Sequence, residues 1–274
     1  KDTLMEQQEF TLPEGSYREY QIPKKAGGFR KITAPSPELL KYQRSKLKSL
    51  EEYFYSQVKR TPLANVVHGF LSKRNCVTGA SLHVGYKATI MMDISNFFDT
   101  VHYTMLPTEL YDPSLFHLKG YAAQGFATSP ILCNIALLPA LDQIHELLDD
   151  LFTDFALSVY ADDVQISVND DEHDILNEVI DNVYAILEYN GFSANTKKTR
   201  IKYAKHGYRR ILGISVGDDH IRATRKVIRR IRAAKHNAQN QSLDSDERRS
   251  AGNSAGGLVT WSRCLYPKKY KPLA

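Results

Sequence analysis

The stretch LSVYADDVQISV, Leu157 to Val168, constrains the fold more than any other part of the chain. Leu157, Val159, Val164, Ile166 and Val168 alternate with small or polar residues, the pattern of two strands that each bury one face. Two adjacent carboxylates, Asp162 and Asp163, stand at the bend between them. Asp is a good turn residue, and for the pair alone that reading suffices. A second buried strand, Ala88 to Asp93, ends in another carboxylate, with Met92 and Ile94 on either side. A helix N-cap would account for Asp93 by itself. Taken together the three acids ask for more, because buried charge is costly unless paired or bound to metal. Strand ends that bring three carboxylates to one spot make a hard-oxygen cage for Mg²⁺. Two such ions about 3.5–4 Å apart can activate an attacking hydroxyl and stabilise a leaving pyrophosphate.

The rest of the chain reads around these strands. Residues 17–34 form a basic hairpin about Gly27-Gly28, and SPELLKYQRSKLKSLEEYF a helix. SPILCNIALLPALDQIHELLDD is a long helix with Pro130 near its first turn, and DEHDILNEVIDNVYAILEYNGF an amphipathic helix closed by Asn190-Gly191. RRILGISV reads as a strand and TRKVIRRIRAAKHNAQ as a basic helix. Three glycines in 252–257 read as a linker to a last helix, LVTWSRCLY. The order strand, helix, strand, strand, helix, strand, then helices, is that of an α+β core with a helical appendage.

Charge is unevenly spread. Residues 197–274 hold 20 Lys and Arg against 5 Asp and Glu, a net of +15, while residues 1–196 hold 16 against 26, a net of −10. A basic quarter on an acidic body is a polyanion-binding layout. No apolar run reaches the ~20 residues of a membrane span; the longest, ILCNIALLPAL, is broken by Asn134 and Pro139. The three cysteines are far apart without metal-ligand spacing, which fits a reducing cytoplasm. The chain opens on Lys1, as a trimmed product or a piece of a longer protein would.

Six segments resemble, in order, the motifs of reverse transcriptases. IPKKAGGFRKI (22–32) resembles the fingers hairpin, DISNFF (93–98) motif A, QGFATSP (124–130) motif B, YADD (160–163) motif C, GFSANTKKTR (191–200) motif D and ILGI (211–214) the primer-grip turn of motif E. VVHGF (66–70), with Arg74 and His83, is similar to the retron pattern of HGF, a basic residue and an NA-x-x-H box. Two positions depart from it: Gly79 stands where Asn is expected, and ILG, more intron-like, stands for the retron VTG box. The chain thus resembles bacterial reverse transcriptases of the retron type, with group II intron-like features.

That resemblance implies a right-hand polymerase fold: fingers over 1–86, palm over 87–215 (about 107–125 joining the two) and a small helical thumb over 216–274. It implies an RNA-directed DNA polymerase in which Asp93 and Asp162 bridge two Mg²⁺ ions, Mn²⁺ being a substitute, with the Ile94 carbonyl as an extra ligand and Asp163 in support. Phe98 becomes the ring that excludes a ribose 2′-OH and favours dNTPs; core packing beside Phe97 is its alternative. Gln124 and Gly125 lie along the nucleotide, the glycine allowing close approach. Lys24 and Arg30 grip the triphosphate, with Lys25 and Lys31 competing for that role. Lys198 protonates the leaving pyrophosphate or is a solvated loop lysine. On a helix from Arg222 to Lys235, packed through Val227 and Ile231, Arg222, Arg225, Arg229 and Arg232 hold template-primer phosphates. Trp261 belongs to the thumb core or stacks on RNA, and His68 and His83 are structural. Implied partners are a structured template RNA, its msDNA-like cDNA, dNTPs and an effector protein of antiphage defence, in the cytoplasm and without a membrane. Protein-primed or template-independent synthesis stays open, since 16 tyrosines single out no primer. A non-catalytic RNA scaffold also stays open, although the intact acids argue against it.

Overall fold

The computed structural model describes residues 15–24 and 27–265. Strands β1 (Tyr17–Pro23) and β2 (Phe29–Pro35) form the expected antiparallel hairpin. Helix α1 (Pro37–Val58) follows, capped by the Ser36 hydroxyl, which accepts from the Leu39 amide (3.2 Å). A loop and the short α2 (Cys76–Ser81) lead to β3 (Ala88–Asp93) and the single turn α3 (Phe97–Thr100). Then come α4 (Ser129–Leu151), the hairpin β4 (Phe155–Tyr160) and β5 (Asp163–Val168), α5 (His173–Tyr189) and β6 (Arg200–Tyr203).

These strands make one antiparallel sheet in the order β4-β5-β3-β6. Its period-2 pattern sorts the residues by face. Ala88, Ile90 and Met92 lie opposite Val168, Ile166 and Val164, and with Leu157 and Val159 they join the main core under α4 and α5. Helix α4 is apolar on nearly all sides because it runs through that core. By length and composition it could cross a membrane, but most of it is buried in the protein.

The other face meets a second unit. RRILGISV is two strands rather than one: β7 (Arg209–Ile211) and β8 (Ile214–Val216) turn tightly at Leu212-Gly213, both at positive φ, and β9 (Ile221–Ala223) completes a three-stranded sheet. The expected palm–thumb boundary after residue 215 falls inside this sheet. Helices α6 (Arg225–Gln239) and α7 (Ser245–Arg263) follow. Val227, Ile228 and Trp261 pack on a core of Val77, Ala80, Ile211, Ile214, Val216 and Ala223, so α2 shares its core with α6 and α7.

Two expectations need correction. The glycines of 252–257 are no linker; α7 runs through them, started by an Asp244–Glu247 capping box. Gly252 faces α6, where a Cβ would make ordinary contact with Ala238 at 3.9 Å, while a Cβ on Gly256 or Gly257 would meet open space. Arg222 is not on the basic helix either: it belongs to β9, and its guanidinium stacks 3.4 Å over the Tyr208 ring.

Burial sets a pH limit on this fold. His68 pairs with the Thr78 hydroxyl (2.8 Å) and the Asn65 carbonyl (3.0 Å), and desolvation pulls it down to about 4. His83 is fully buried, and desolvation beside Arg209 pulls it to about 3. In the unfolded chain both protonate near pH ~6.5. Below that pH the unfolded state binds more protons, so stability falls as pH drops from about 6.5 toward 4, by roughly 1.4 kcal/mol per unit for each histidine. The raised Asp163 carboxyl acts in the opposite sense below pH about 6, so the histidine contribution is read as a difference: urea midpoints should fall less steeply with decreasing pH in His68→Asn than in the wild type, and identical slopes would contradict a buried neutral imidazole at 68.

Candidate active site

The two strand ends do converge. In the register of β3 with β5, Asp93 stands opposite Asp163. Tyr160 is the β4 partner of Asp163, so Ala161 and Asp162 are a two-residue hairpin loop with Ala161 at φ 57°. The Ile94 amide donates to the Asp162 carbonyl (2.8 Å), tying the end of β3 to the loop. The Ile94 side chain is buried in the core.

Two other segments close around the loop. Residues 193–195 run antiparallel beside 93–95, where Asn195 donates to the Asp93 carbonyl (2.7 Å) and Ser95 to that of Ser193 (2.7 Å). This brings Lys198 onto Asp93, with Nζ 2.8 and 3.0 Å from the two carboxylate oxygens. On the far side, Val67 bridges Val159 in parallel, and a Cβ on Gly69 would lie 2.6 Å from the Ala161 amide nitrogen. Only glycine fits there. The Asn134 amide holds the Gly69 carbonyl (2.9 Å).

Electrostatics follows from three acids and one adjacent cation. Desolvation, then the charges of Asp162 and Asp93, push the Asp163 carboxyl up to about 6, although Asp163 keeps access to solvent. Asp162 is raised by burial and by Asp93, against the opposing charges of Lys198 and Arg30. The bond to Asp93 raises Lys198. The site is short of positive charge, and its donors are carboxylate oxygens. Among the described residues no three His, Cys, Asp or Glu side chains stand so that they could hold a metal ion by themselves. The donors at this site are carboxylate oxygens, the type Mg²⁺ takes, one or two of them together with substrate phosphates.

The remaining expected residues lie around this centre. Phe97 is buried against Phe192, while Phe98 is half-buried and turns to Phe70, ring centroids 6.3 Å apart. Arg30 and Lys24 are exposed on the hairpin, Arg30 close enough to act on Asp162 and Lys24 on Asp99. Lys31 is committed elsewhere, to Glu19 at 2.6 Å; Lys25 lies outside the described residues. Gln124 accepts at its carbonyl from the Thr33 amide (2.8 Å). At Gly125, φ 123°, a Cβ would sit 2.4 Å from the Thr33 carbonyl oxygen. The close approach the structure shows is to β2, so this glycine lets the hairpin lie against the segment before α4.

Sequence reasoning missed Phe70. It is 47% exposed, has φ 61°, and sets its ring 6.2 Å from Tyr160 and edge-on to Phe98. A non-glycine residue in the left-handed region is held there by its surroundings, here beside two other aromatic rings at the edge of the site. The HGF segment was its one sequence signal.

The profile of the family described as reverse transcriptase (RNA-dependent DNA polymerase) matches residues 22–216. The chain is 28% identical to the retron Mx65 reverse transcriptase of Myxococcus xanthus over 94% of its own length and 63% of that protein's. It is 29% identical to the retron Mx162 reverse transcriptase of the same organism, over 81% and 52%. The chain therefore spans about half to under two thirds of these relatives. Telomerase from Candida albicans, solved with a fragment of telomeric RNA, superposes with a TM-score of 0.58 at 12% identity, covering 89% of this chain and 56% of that one. That likeness concerns the fold, which is the polymerase fold of mixed helices and antiparallel sheet.

Proposed function

The chain belongs to the reverse transcriptase family and is similar to its retron members, and from that premise we propose that it is an RNA-directed DNA polymerase acting by two-metal nucleotidyl transfer. The observation that carries the proposal is the meeting of Asp93, Asp162 and Asp163 at adjacent strand ends, with a single lysine on one of them. Asp93 and Asp162 would hold the ions together with the Ile94 carbonyl and substrate phosphates, and Asp163 would support them. When bound, two Mg²⁺ ions supply charge that favours the attacking hydroxyl and the departing pyrophosphate. Lys198, which pairs with Asp93 here, would give a proton to the pyrophosphate. Arg30 and Lys24 receive the triphosphate, Arg30 by a forked contact.

Phe98 would lie under the sugar. Phe98→Val should raise the use of GTP relative to dGTP roughly ten-fold or more, a pocket-size effect. The ratio of kcat/KM values measures it. Unchanged discrimination in an active variant would leave Phe98 a packing residue.

The template would be a structured RNA cognate to this protein, copied into an msDNA-like cDNA, with an effector protein in antiphage defence; the retron likeness is the support for this finer reading. Sequencing the nucleic acid that co-purifies with the chain tests it. One RNA species joined to or paired with cDNA is the expected result, and random cellular RNA would count against it.

A further inference from the structure

Behind the carboxylates, the sheet face opposite the main core is polar and buried. It holds Thr89, Ser158, Gln165 and Ser167, with His83 and Arg209 laid against them, and none of the six is more than 3% exposed. Their hydrogens can be placed by counting. A guanidinium only donates, so Thr89 Oγ1 accepts from Arg209 Nη1 (2.9 Å). At the other end Gln165 Oε1 only accepts, so the Ser158 hydroxyl donates to it (2.9 Å). Ser158 has one hydrogen and must accept from His83 Nε2 (2.7 Å). The imidazole is neutral, being buried beside a guanidinium. Its Nδ1 therefore accepts from the Ser167 hydroxyl (2.8 Å), and Ser167 accepts from Thr89 (2.7 Å). The result is a directed relay from Arg209 through Thr89, Ser167, His83 and Ser158 to Gln165. Each hydroxyl and the imidazole gives one hydrogen and takes one. Arg209 Nη2 also donates to the His83 carbonyl (2.8 Å), and among the described residues no carboxylate pairs with Arg209.

The relay crosses three strands just below the candidate site. Thr89 shares its face of β3 with Asp93, Gln165 and Ser167 share theirs of β5 with Asp163, and Ser158 shares that of β4 with Tyr160. Apolar side chains would cover this face with less risk, since one broken link leaves a buried polar group unsatisfied. What a one-directional network adds is a single geometry. We propose that this layer, centred on His83, positions the candidate active site by locking β3, β4 and β5 in the register that brings Asp93, Asp162 and Asp163 together. His83, Thr89, Ser158 and Arg209 act through other residues and are positioning residues. The inference rests on the metal-binding role proposed for the three acids.

Thr89→Val tests it, because it keeps the side-chain shape and removes one donor and one acceptor; Thr89→Ser keeps both. Thr89→Val and Ser158→Ala should lower kcat for dNTP addition about 10–100-fold, as loss of a supporting shell does, with KM for dNTP and template affinity unchanged. Amide exchange at residues 161–164 should quicken in Thr89→Val, and Thr89→Ser should restore both readouts. Wild-type kcat and exchange in Thr89→Val, or a Thr89→Ser as impaired as Thr89→Val, would overturn the proposal. Should the variants not fold, ¹⁵N spectra of the wild-type imidazole decide: His83 should stay the neutral Nε2–H tautomer from about pH 8 to 5. An Nδ1–H tautomer or a titration in that range would overturn it. Failure of the metal reading would show separately, as DNA synthesis by Asp162→Asn, and leaves the exchange and tautomer tests in force.

Discussion

Asp162→Asn and Asp93→Asn should each abolish primer extension on an RNA template in Mg²⁺, while RNA binding and thermal stability stay near wild type. Asparagine keeps the shape of aspartate and removes its charge. At Asp162 the change leaves the backbone bond from Ile94 intact, so the hairpin loop keeps its place. It also relieves repulsion among the three acids, and stability should hold or rise. At Asp93 it costs the ion pair with Lys198, whose side chain is 61% exposed, and such a pair is worth only about 0–1 kcal/mol. Catalysis is another matter. Stabilising transition-state charge through bound metal is worth several kcal/mol, and ~4 kcal/mol corresponds to about a thousand-fold in rate. A fall of that order or greater is expected in single-turnover extension. Near-normal extension by either variant would remove the metal assignment. Thermal shift gives a second check: Mg²⁺ with a dNTP should stabilise the wild type and not Asp93→Asn.

Neutralising Arg225, Arg229 and Arg232 together should weaken RNA binding and flatten its salt dependence. All three are exposed on α6, at spacings of four and three residues that place them on one face. None has an ion-pair partner among the described residues, so their charge is available to a ligand. On the opposite side of the helix Val227 packs onto the second core and Ala234 is buried, while Ile228 packs at the edge of the arginine face. Glutamine substitution preserves helix propensity and should leave that packing alone. Each arginine that neutralises a phosphate adds roughly 0.7–0.9 to the slope of log K against log salt, so the triple variant should be flatter by about two to three units. Fluorescence titrations at several salt concentrations measure the slope. A wild-type slope with wild-type cDNA yield would make this face an ordinary solvated surface and leave the acids' case untouched.

The site's three acids, the hairpin that carries two of them, the capped α1, the apolar α4 and the basic α6 were all legible in the sequence; that the hairpin's polar face is buried as well as its apolar one was not. Each rests on a local signal: alternation with period two, helical spacing, a capping residue or a run of charge. These act over a few residues and survive any packing consistent with them. Local signals ran out where a distant neighbour decides the contact. Glycines 252–257 favour a linker until α7 packs on α6. Gly125 suits close approach in general, but only the register of β2 against residue 124 makes Thr33 the neighbour. Lys31 and Arg30 are adjacent and alike in charge, and Glu19 across the hairpin takes Lys31.

By itself, then, the chain determined which residues turn inward and which carboxylates end the strands, because backbone periodicity and the cost of burying charge are properties of neighbouring residues. Only the tertiary structure decided what those residues touch. His83 finds Ser167 84 positions away, and Arg209 reaches the His83 carbonyl across 126. Phe70 reaches Phe98 and Tyr160 only because residues 66–70 lie along β4. Such partners depend on strand order and register, which are settled when the whole core closes.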